Sequence, residues 1–312
     1  MTHWTMNDMP DLRGRVALVT GANRGLGLET TRALAAHGAH VIMAVRDLKQ
    51  GQRAEAEIKQ TVTGASLALG SLDLSSLASV REFASQVLET HDRLDLLLSN
   101  AGIMAIPRQE TSDGFEMQLG TNHFGHFALT GLLVPKLVTT PGSRVVTITS
   151  NARRTVPHID FDDLQLQRSY SRWGAYGQSK RANLLFAFEL QTRFTAAGVS
   201  TISIAAHPGG ANTNVSGTSN NLSRFERFFF GLISQSAAMG ALPLLYAATE
   251  EHLIGGELVG PGGVAKSRGY PKVDSHVRDE YDRSAAQRLW AVSEELTGVT
   301  YNLVALTRTS SP

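Results

Sequence analysis

Val16-Ala17-Leu18-Val19-Thr20-Gly21-Ala22-Asn23-Arg24-Gly25-Leu26-Gly27 is the stretch on which the fold turns. Its first five residues form a short, continuous apolar run bounded by turn residues, the pattern of a strand buried on both faces. The run passes straight into Gly21, Gly25 and Gly27, then into a helical pattern through Leu28, Ala33, Leu34 and Ala36 that Gly38 ends. Glycines between a strand and a helix permit a tight turn and a close backbone approach to a pyrophosphate. The helix start adds amide donors and a favourable dipole. The spacing G-x-x-x-G-x-G differs from the general G-x-G-x-x-G fingerprint, and read alone it also describes an ordinary turn.

Upstream, residues 1–14 read as a polar arm ending in a turn at Asp11-Leu12-Arg13-Gly14. With Asp8, Asp11, Arg13 and Arg15 and no apolar block, this start resembles neither a signal peptide nor an anchor. Downstream, strand and helix alternate. Strands are expected at His40–Val45, 67–69, 94–98, 144–149, 200–206 and near 257–259. Helices are expected over 48–61, 77–88 (capped by Ser75 or Ser76), 113–138, from about Tyr176 onward, 236–249 and 275–296. No composition shift marks a linker and no repeat is visible. The expectation is an α/β protein: a single Rossmann-type catalytic domain over 15–312, a doubly wound parallel sheet of about seven strands with helices on both faces. A closed eightfold barrel is the competitor, and the glycine turn after the first strand favours the open sheet.

The chain has 312 residues, 42% of them hydrophobic, enough for a large core. A net charge of +1 demands neither nucleic acid nor an acidic membrane as partner. Zero cysteines exclude disulfides, Cys-ligated zinc and thiol catalysis, and fit a cytoplasmic, reducing setting. No run reaches the roughly eighteen apolar residues of a membrane span.

In open sheets of this kind, sites lie beyond the carboxyl ends of the strands. Asn100, Ser150 and the Pro208-Gly209 turn all fall there. Tyr176-Gly177-Gln178-Ser179-Lys180 opens a long apolar run, and on a helix Tyr176 and Lys180 stand one turn apart on one face. A phenol ionises near pH 10, and a neighbouring ammonium lowers that value toward a usable acid or base. The second strand ends Met43-Ala44-Val45-Arg46-Asp47, with an arginine ahead of the acid, and Arg24 lies inside the glycine turn. Two guanidinium groups near one ribose suit a 2′-phosphate, hence NADP(H). The bland alternative makes Arg24 and Arg46 solvated loop charges and Asp47 a helix cap.

The ordered set Thr20-Gly21-x-x-x-Gly25-x-Gly27, Asp73-Leu74, Asn100-Ala101-Gly102, Asn122, Ser150, Tyr176-x-x-x-Lys180 and Pro208-Gly209-x-x-x-Thr213 resembles the short-chain dehydrogenase/reductase family over nearly the whole chain. Thr121-Asn122-His123-Phe124-Gly125-His126-Phe127 and Val45-Arg46-Asp47 look closest to the retinol dehydrogenase-like and protochlorophyllide reductase-like branch. The resemblance implies that Tyr176 is the general acid or base, that Lys180 lowers its pKa and holds the nicotinamide ribose, and that Ser150 hydrogen-bonds the substrate oxygen. It implies that Asn122 places a relay water beside Lys180. It makes Gly21, Asn23, Arg24, Gly25, Leu26, Gly27 and Arg46 cofactor-binding, sets Asp73 and Leu74 beside the adenine and Asn100, Ala101 and Gly102 beside the ribose and nicotinamide, and closes Pro208, Gly209 and Thr213 over the carboxamide.

Each residue keeps a bland reading: Ser150 as a strand-end turn, Asn100 as a strand tie, Asp73 as a helix start. His123 and His126, three apart, have no third placed ligand, so packing is favoured over a metal. Ser99 replaces a second Asn of many relatives. Tyr176 follows Ser150 by 26 residues, a longer interval than in short family members, so Arg153, Arg154, Tyr170 and Trp173 are placed at a substrate entrance, and Gly210 is read as loosening a lid hinge. The lid, 208–235, carries Phe225, Phe228, Phe229 and Phe230, suiting a bulky apolar ligand, a helix face or a membrane-touching patch. The leading expectation is an NADPH-dependent oxidoreductase interconverting a ketone or aldehyde with an alcohol on a hydrophobic substrate. Reduction of an activated C=C bond and a non-catalytic NADP(H) sensor or scaffold remain open. The helices over 113–138 and 174–196 are apolar enough for either core or a homo-oligomer interface.

Overall fold

β1 (Val16–Thr20) occupies the middle of an eight-stranded sheet in the computed structural model, which describes residues 3–210, 235–263 and 266–303. The other strands are β2 (His40–Val45), β3 (Ser66–Ser71), β4 (Leu96–Ser99), β5 (Arg144–Ile148), β6 (Ile202–Ala206), β7 (Leu258–Pro261) and β8 (Pro271–Val273). Their order is β3-β2-β1-β4-β5-β6-β7-β8. The first seven are parallel, and the winding reverses between β1 and β4, which places a crevice at their carboxyl ends.

The sheet is buried from both sides because its strands are apolar at successive positions. Ala17 and Val19 face one core together with Val41, Met43, Leu96 and Leu98, covered by α1 (Gly25–Ala36), α2 (Leu48–Thr61) and the helix Ala237–Thr249. Leu18, Ile42, Leu97 and Val145 face the other, covered by α3 (Leu77–Thr90), α4 (Gly125–Val138), α5 (Arg172–Ala196) and the helix Arg283–Thr297. In chain order the last two helices are α6 and α7.

Three local expectations are corrected. β8 is an eighth strand, antiparallel to β7 through Val259 opposite Val273; at three residues it carries no readable period. The helix expected from Asp113 starts at Met117. Gly114 turns the chain at φ +82°, Asp113 instead accepts the Leu77 N–H of α3, and the Glu116 carboxylate caps the new helix at the Gln118 and Leu119 N–H groups. The tail helix begins at Arg283 with Asp282 as its cap, after a separate 3₁₀ turn, Val277–Glu280. The first residues, read as a polar arm, also bury Met9 and Leu12, and Trp4 packs edge-on against Tyr246 at 5.2 Å.

Candidate active site

The glycine turn and the start of α1 form the floor of a cleft at the carboxyl ends of β1, β2 and β4. Gly21, Asn23, Arg24, Gly25, Leu26 and Gly27 all line it, as do Arg46, Asp73 and Leu74. Asn100, Ala101 and Gly102 complete it from the exit of β4. Gly27 is required by close approach: a side chain there would run into the Gly21 carbonyl and come within 2.6 Å of the Asn100 amide nitrogen. Asn100 serves both of its readings. Its Nδ2 donates to the Thr20 carbonyl at 2.7 Å, tying β4 to β1, while the residue forms cleft wall. Asp73 likewise accepts from the Ser75 N–H at 2.9 Å and hydroxyl at 2.6 Å, shaping the turn into α3 at the cleft edge. Ser76 caps α3.

A second lobe of about 480 Å³ adjoins the first and shares Asn23, Arg24 and Arg46 with it. Lys49, Gln50 and Ser71, which the sequence reading did not assign, also line it. Burial and the like charge of Arg46 push the Arg24 guanidinium below its ordinary pKa. Neither arginine has an ion-pair partner among the described residues. Asp47 is committed elsewhere: its carboxylate accepts from the Gln50 N–H at 3.1 Å and side-chain amide at 2.8 Å, capping α2. Asp47 thus caps its own helix while also lining this lobe beside Arg24 and Arg46.

At the carboxyl end of β5, Ser150 stands in extended conformation and caps a 3₁₀ turn, Asn151–Thr155, its Oγ accepting the Ala152 N–H at 3.2 Å. Ser171 caps α5, which brings Tyr176 to Ser150. There the Ser150 hydroxyl is near enough to draw the Tyr176 pKa down. This approach depends on Gly177: a Cβ there would clash with the Thr155 hydroxyl and lie 2.7 Å from the Ala152 carbonyl oxygen. Lys180 follows one turn later, its Nζ 5.8 Å from the Tyr176 ring centroid.

Burial dominates the electrostatics of the pair. Tyr176 keeps some open surface but sits deep in the protein mass. Burial pushes its hydroxyl up to about 12, with the Ser150 hydrogen bond pulling the other way. Burial also brings Lys180 down to about 8. The ammonium donates to the Ile148 carbonyl at 3.2 Å rather than reaching the phenol oxygen. Desolvation, not the neighbouring charge, sets the state of the pair.

Asn122 lies in a π turn, Gly120–Phe124, ahead of α4. Its Oδ1 accepts the Ile103 N–H at 2.9 Å, and its Nδ2 donates to the Ile103 carbonyl and Ser179 Oγ, both at 2.9 Å. With both amide hydrogens engaged, the side chain braces the β4 exit against α5. Only its remaining oxygen lone pairs are open to a water. His126 extends this brace. A carbonyl only accepts, so the 3.0 Å contact to the Asn122 oxygen puts a proton on Nδ1. Nε2 then accepts the Thr20 hydroxyl at 2.9 Å, whose oxygen receives the Asn100 and Ala101 N–H groups. His123 meets Ser293 Oγ at 3.0 Å. Both imidazoles thus belong to the packed core.

Pro208 and Gly209 lie beyond β6, and Gly210 is tied rather than loose: its N–H donates to the Ser267 carbonyl at 2.9 Å and its carbonyl accepts from Gln235 at 2.6 Å. Thr213 and the aromatic run Phe225–Phe230 lie outside the described residues. Tyr170 donates to the Ile106 carbonyl at 3.0 Å, closing the 151–171 segment onto the β4 exit loop. Arg153, expected at an entrance, is wholly buried.

A short chain dehydrogenase family model matches residues 15–222, which hold the glycine turn, Ser150, Tyr176 and Lys180. The chain belongs to the short-chain dehydrogenase family. This short-chain dehydrogenase is 38% identical to human retinol dehydrogenase 13 over 295 residues, covering 92% of this chain and 85% of that one. It is 39% identical to human retinol dehydrogenase 12 over 288 residues, covering 92% and 88%. It is thus related to the retinol dehydrogenases at moderate identity. A crystal structure of a protein from Mycobacterium paratuberculosis superposes with a TM-score of 0.79 at 41% identity, covering 96% of this chain and 99% of the other. A short-chain dehydrogenase from Shigella flexneri, complexed with NADP, shares the fold, with a TM-score of 0.63 at 22% identity over 80% and 98% of the two chains. Among the described residues of this short-chain dehydrogenase, no helix is long and apolar enough to cross a membrane.

Proposed function

We propose that the protein is an NADP(H)-dependent oxidoreductase that interconverts a ketone or aldehyde with an alcohol on a hydrophobic substrate. The observation that carries this reading is the convergence of Ser150, Tyr176 and Lys180, the Lys180 Nζ 5.8 Å from the Tyr176 ring centroid, at the same sheet edge as the glycine-floored cleft. The cleft fits a dinucleotide: Gly21 to Gly27 give a backbone cradle at a helix N-terminus, and the Arg24/Arg46 lobe, with Lys49, fits a 2′-phosphate. Asp47 lines the same lobe, but its carboxylate is engaged by the Gln50 N–H and side-chain amide.

Bound there, the dinucleotide supplies the hydride. Ser150 Oγ donates to the substrate oxygen and stabilises its growing negative charge. Tyr176, protonated at neutral pH because burial holds it near 12, gives its proton to that oxygen as the alcohol forms. Lys180, buried and able to change charge near pH 8, would steady the phenolate left behind through space, its Nζ 5.8 Å from the ring centroid. Trp173, edge-on to Tyr176 at 6.0 Å, adds an apolar wall beside the reacting hydroxyl. That wall, and the retinol in the names of the two human relatives, support a hydrophobic alcohol or carbonyl.

Tyr176→Phe tests the reading. It should abolish turnover of nonanal and all-trans-retinal while NADPH still binds; near-normal turnover by the Phe variant would discard the assignment. Arg46→Ala should weaken NADPH binding by about tenfold or more, the loss of one charge-assisted phosphate contact, and leave NADH binding unchanged. Equal losses for the two cofactors would move the phosphate elsewhere.

A further inference from the structure

The largest wholly buried side chain in the described protein is a charged one, Arg153, three residues beyond the proposed catalytic serine. Its Nη1 donates to the Ser150 carbonyl at 3.1 Å and to Asn151 Oδ1 at 3.2 Å. Its Nε and Nη2 donate to the two Glu280 carboxylate oxygens at 2.7 and 3.3 Å. Arg154 reaches the same carboxylate from the rim, its Nε at 2.8 Å. One guanidinium thus joins the backbone of the serine to a 3₁₀ turn 127 positions further along the chain.

We propose that Arg153, clamped by Glu280, is a positioning residue for the proposed reaction, fixing the backbone of Ser150 so that its Oγ meets Tyr176 and the substrate oxygen. This rests on the reading of Ser150 given above. The Ser150 carbonyl is held twice, by the Arg153 N–H at 3.0 Å and by its guanidinium, while the Oγ is held by the Ala152 N–H. With the backbone anchored and one Oγ lone pair engaged, the O–H and the second lone pair are left for Tyr176 and the substrate oxygen. A buried ion pair is a weak source of stability, because desolvation offsets most of the attraction. Its planar fork, by contrast, fixes geometry in a way an apolar side chain does not. The same C-terminal segment also holds the other side of the site: the Lys266 carbonyl accepts from Asn151 Nδ2 at 3.3 Å, and the Ser267 carbonyl from the Gly210 N–H at 2.9 Å.

A double-mutant cycle against Ser150→Ala decides the matter, with nonanal and NADPH as reactants and NADPH Kd and thermal midpoint measured alongside. Arg153→Met should lower kcat by about tenfold or more with NADPH Kd within twofold, the scale expected when a reacting group is displaced by a fraction of an ångström. In the Ser150→Ala background the same change should cost little further, because its effect runs through Ser150. Glu280→Gln keeps the shape and one acceptor oxygen, so it carries the cycle if Arg153→Met does not fold. The apolar pair Arg153→Met/Glu280→Leu should recover the thermal midpoint without recovering kcat. Equal losses in both serine backgrounds, or a wild-type rate in the apolar pair, would overturn the proposal and leave the clamp a packing feature. Tyr176→Phe, assayed in parallel, separates this from failure of the catalytic reading, since turnover by that variant would remove the role of Ser150 itself.

Discussion

Lys180 shows how far a residue's identity and its state can diverge. Its place four positions after Tyr176 was readable in the sequence, but its charge balance was not, because desolvation exists only once the sheet and α5 close around it. Only 4% exposed, it gives up its proton near pH 8 in the folded protein instead of 10.5. The unfolded chain therefore binds the proton more tightly, so stability rises as pH climbs from about 8 to 10.5 and the full penalty stands below 8. A shift of that size corresponds to a penalty on the order of 3 kcal/mol. Lys180→Met should thus stabilise the fold at pH 7 by roughly 1–3 kcal/mol while abolishing turnover. The Ile148 carbonyl is not orphaned, since Asn183 Nδ2 also donates to it at 2.9 Å. Urea titrations at pH 7 and pH 10 check this: the gain should shrink at the higher pH, and a Met variant less stable at pH 7 would refute it. Arg153 is the complementary case. In sequence it is one of two arginines in a polar stretch, and nothing local reveals that its partner lies at Glu280.

α5 and the 3₁₀ turn Asn151–Thr155 have to approach closely for Ser150 to meet Tyr176, and Gly177 permits it. Gly177→Ala isolates that requirement. Alanine favours the helix by up to about 1 kcal/mol, yet its methyl would displace the Ala152 carbonyl and the turn with it. Helix content by circular dichroism should hold and NADPH Kd should stay within twofold, while kcat falls by about tenfold or more. An alanine variant at full rate would show that the turn yields without cost. Elements of regular period were legible here: the buried strands, the α1 turn and the capped α3 follow from short-range pattern. Elements set by partners distant in sequence were not. Asp113 reads as the start of its own helix but serves Leu77 of α3, and β8 exists as a strand only because β7 offers it an edge.

Across the whole molecule, the site gathers at one end of the sheet and a charge knot holds the other. Asp95, 1% exposed at the foot of β4, accepts from Arg15 at 2.8 Å, from Arg93 at 2.7 and 2.8 Å, and from the Val16 N–H at 2.9 Å, binding the starts of β1 and β4 together. Burial alone would raise this carboxyl, but the hydrogen bonds from Arg93, Val16 and Arg15 more than reverse it and hold it below the ordinary range. Asp95→Asn should destabilise the protein by about 1–3 kcal/mol, discounted because both arginines are half-exposed. Because the knot lies far from the cleft, NADPH Kd measured under folding conditions should not change. A weakened Kd with unaltered urea midpoint would contradict this division of labour. The doubly wound sheet and its cleft-bearing edge were legible because alternating buried strands and helices leave few other arrangements. The packing of Met9 and Leu12 was not, since two apolar residues among charges carry no period.

The Arg153–Glu280 tie also bears on when activity arises during synthesis. Every residue lining the glycine-floored cleft has been synthesised by residue 121, whereas Glu280 follows only later. At about 5–20 residues per second, the interval is on the order of ten seconds or more. If the clamp acts as inferred, the nascent polypeptide carries all the lining of its glycine-floored cleft well before its serine is locked, and the order of translation delays reactivity until the C-terminal segment has arrived.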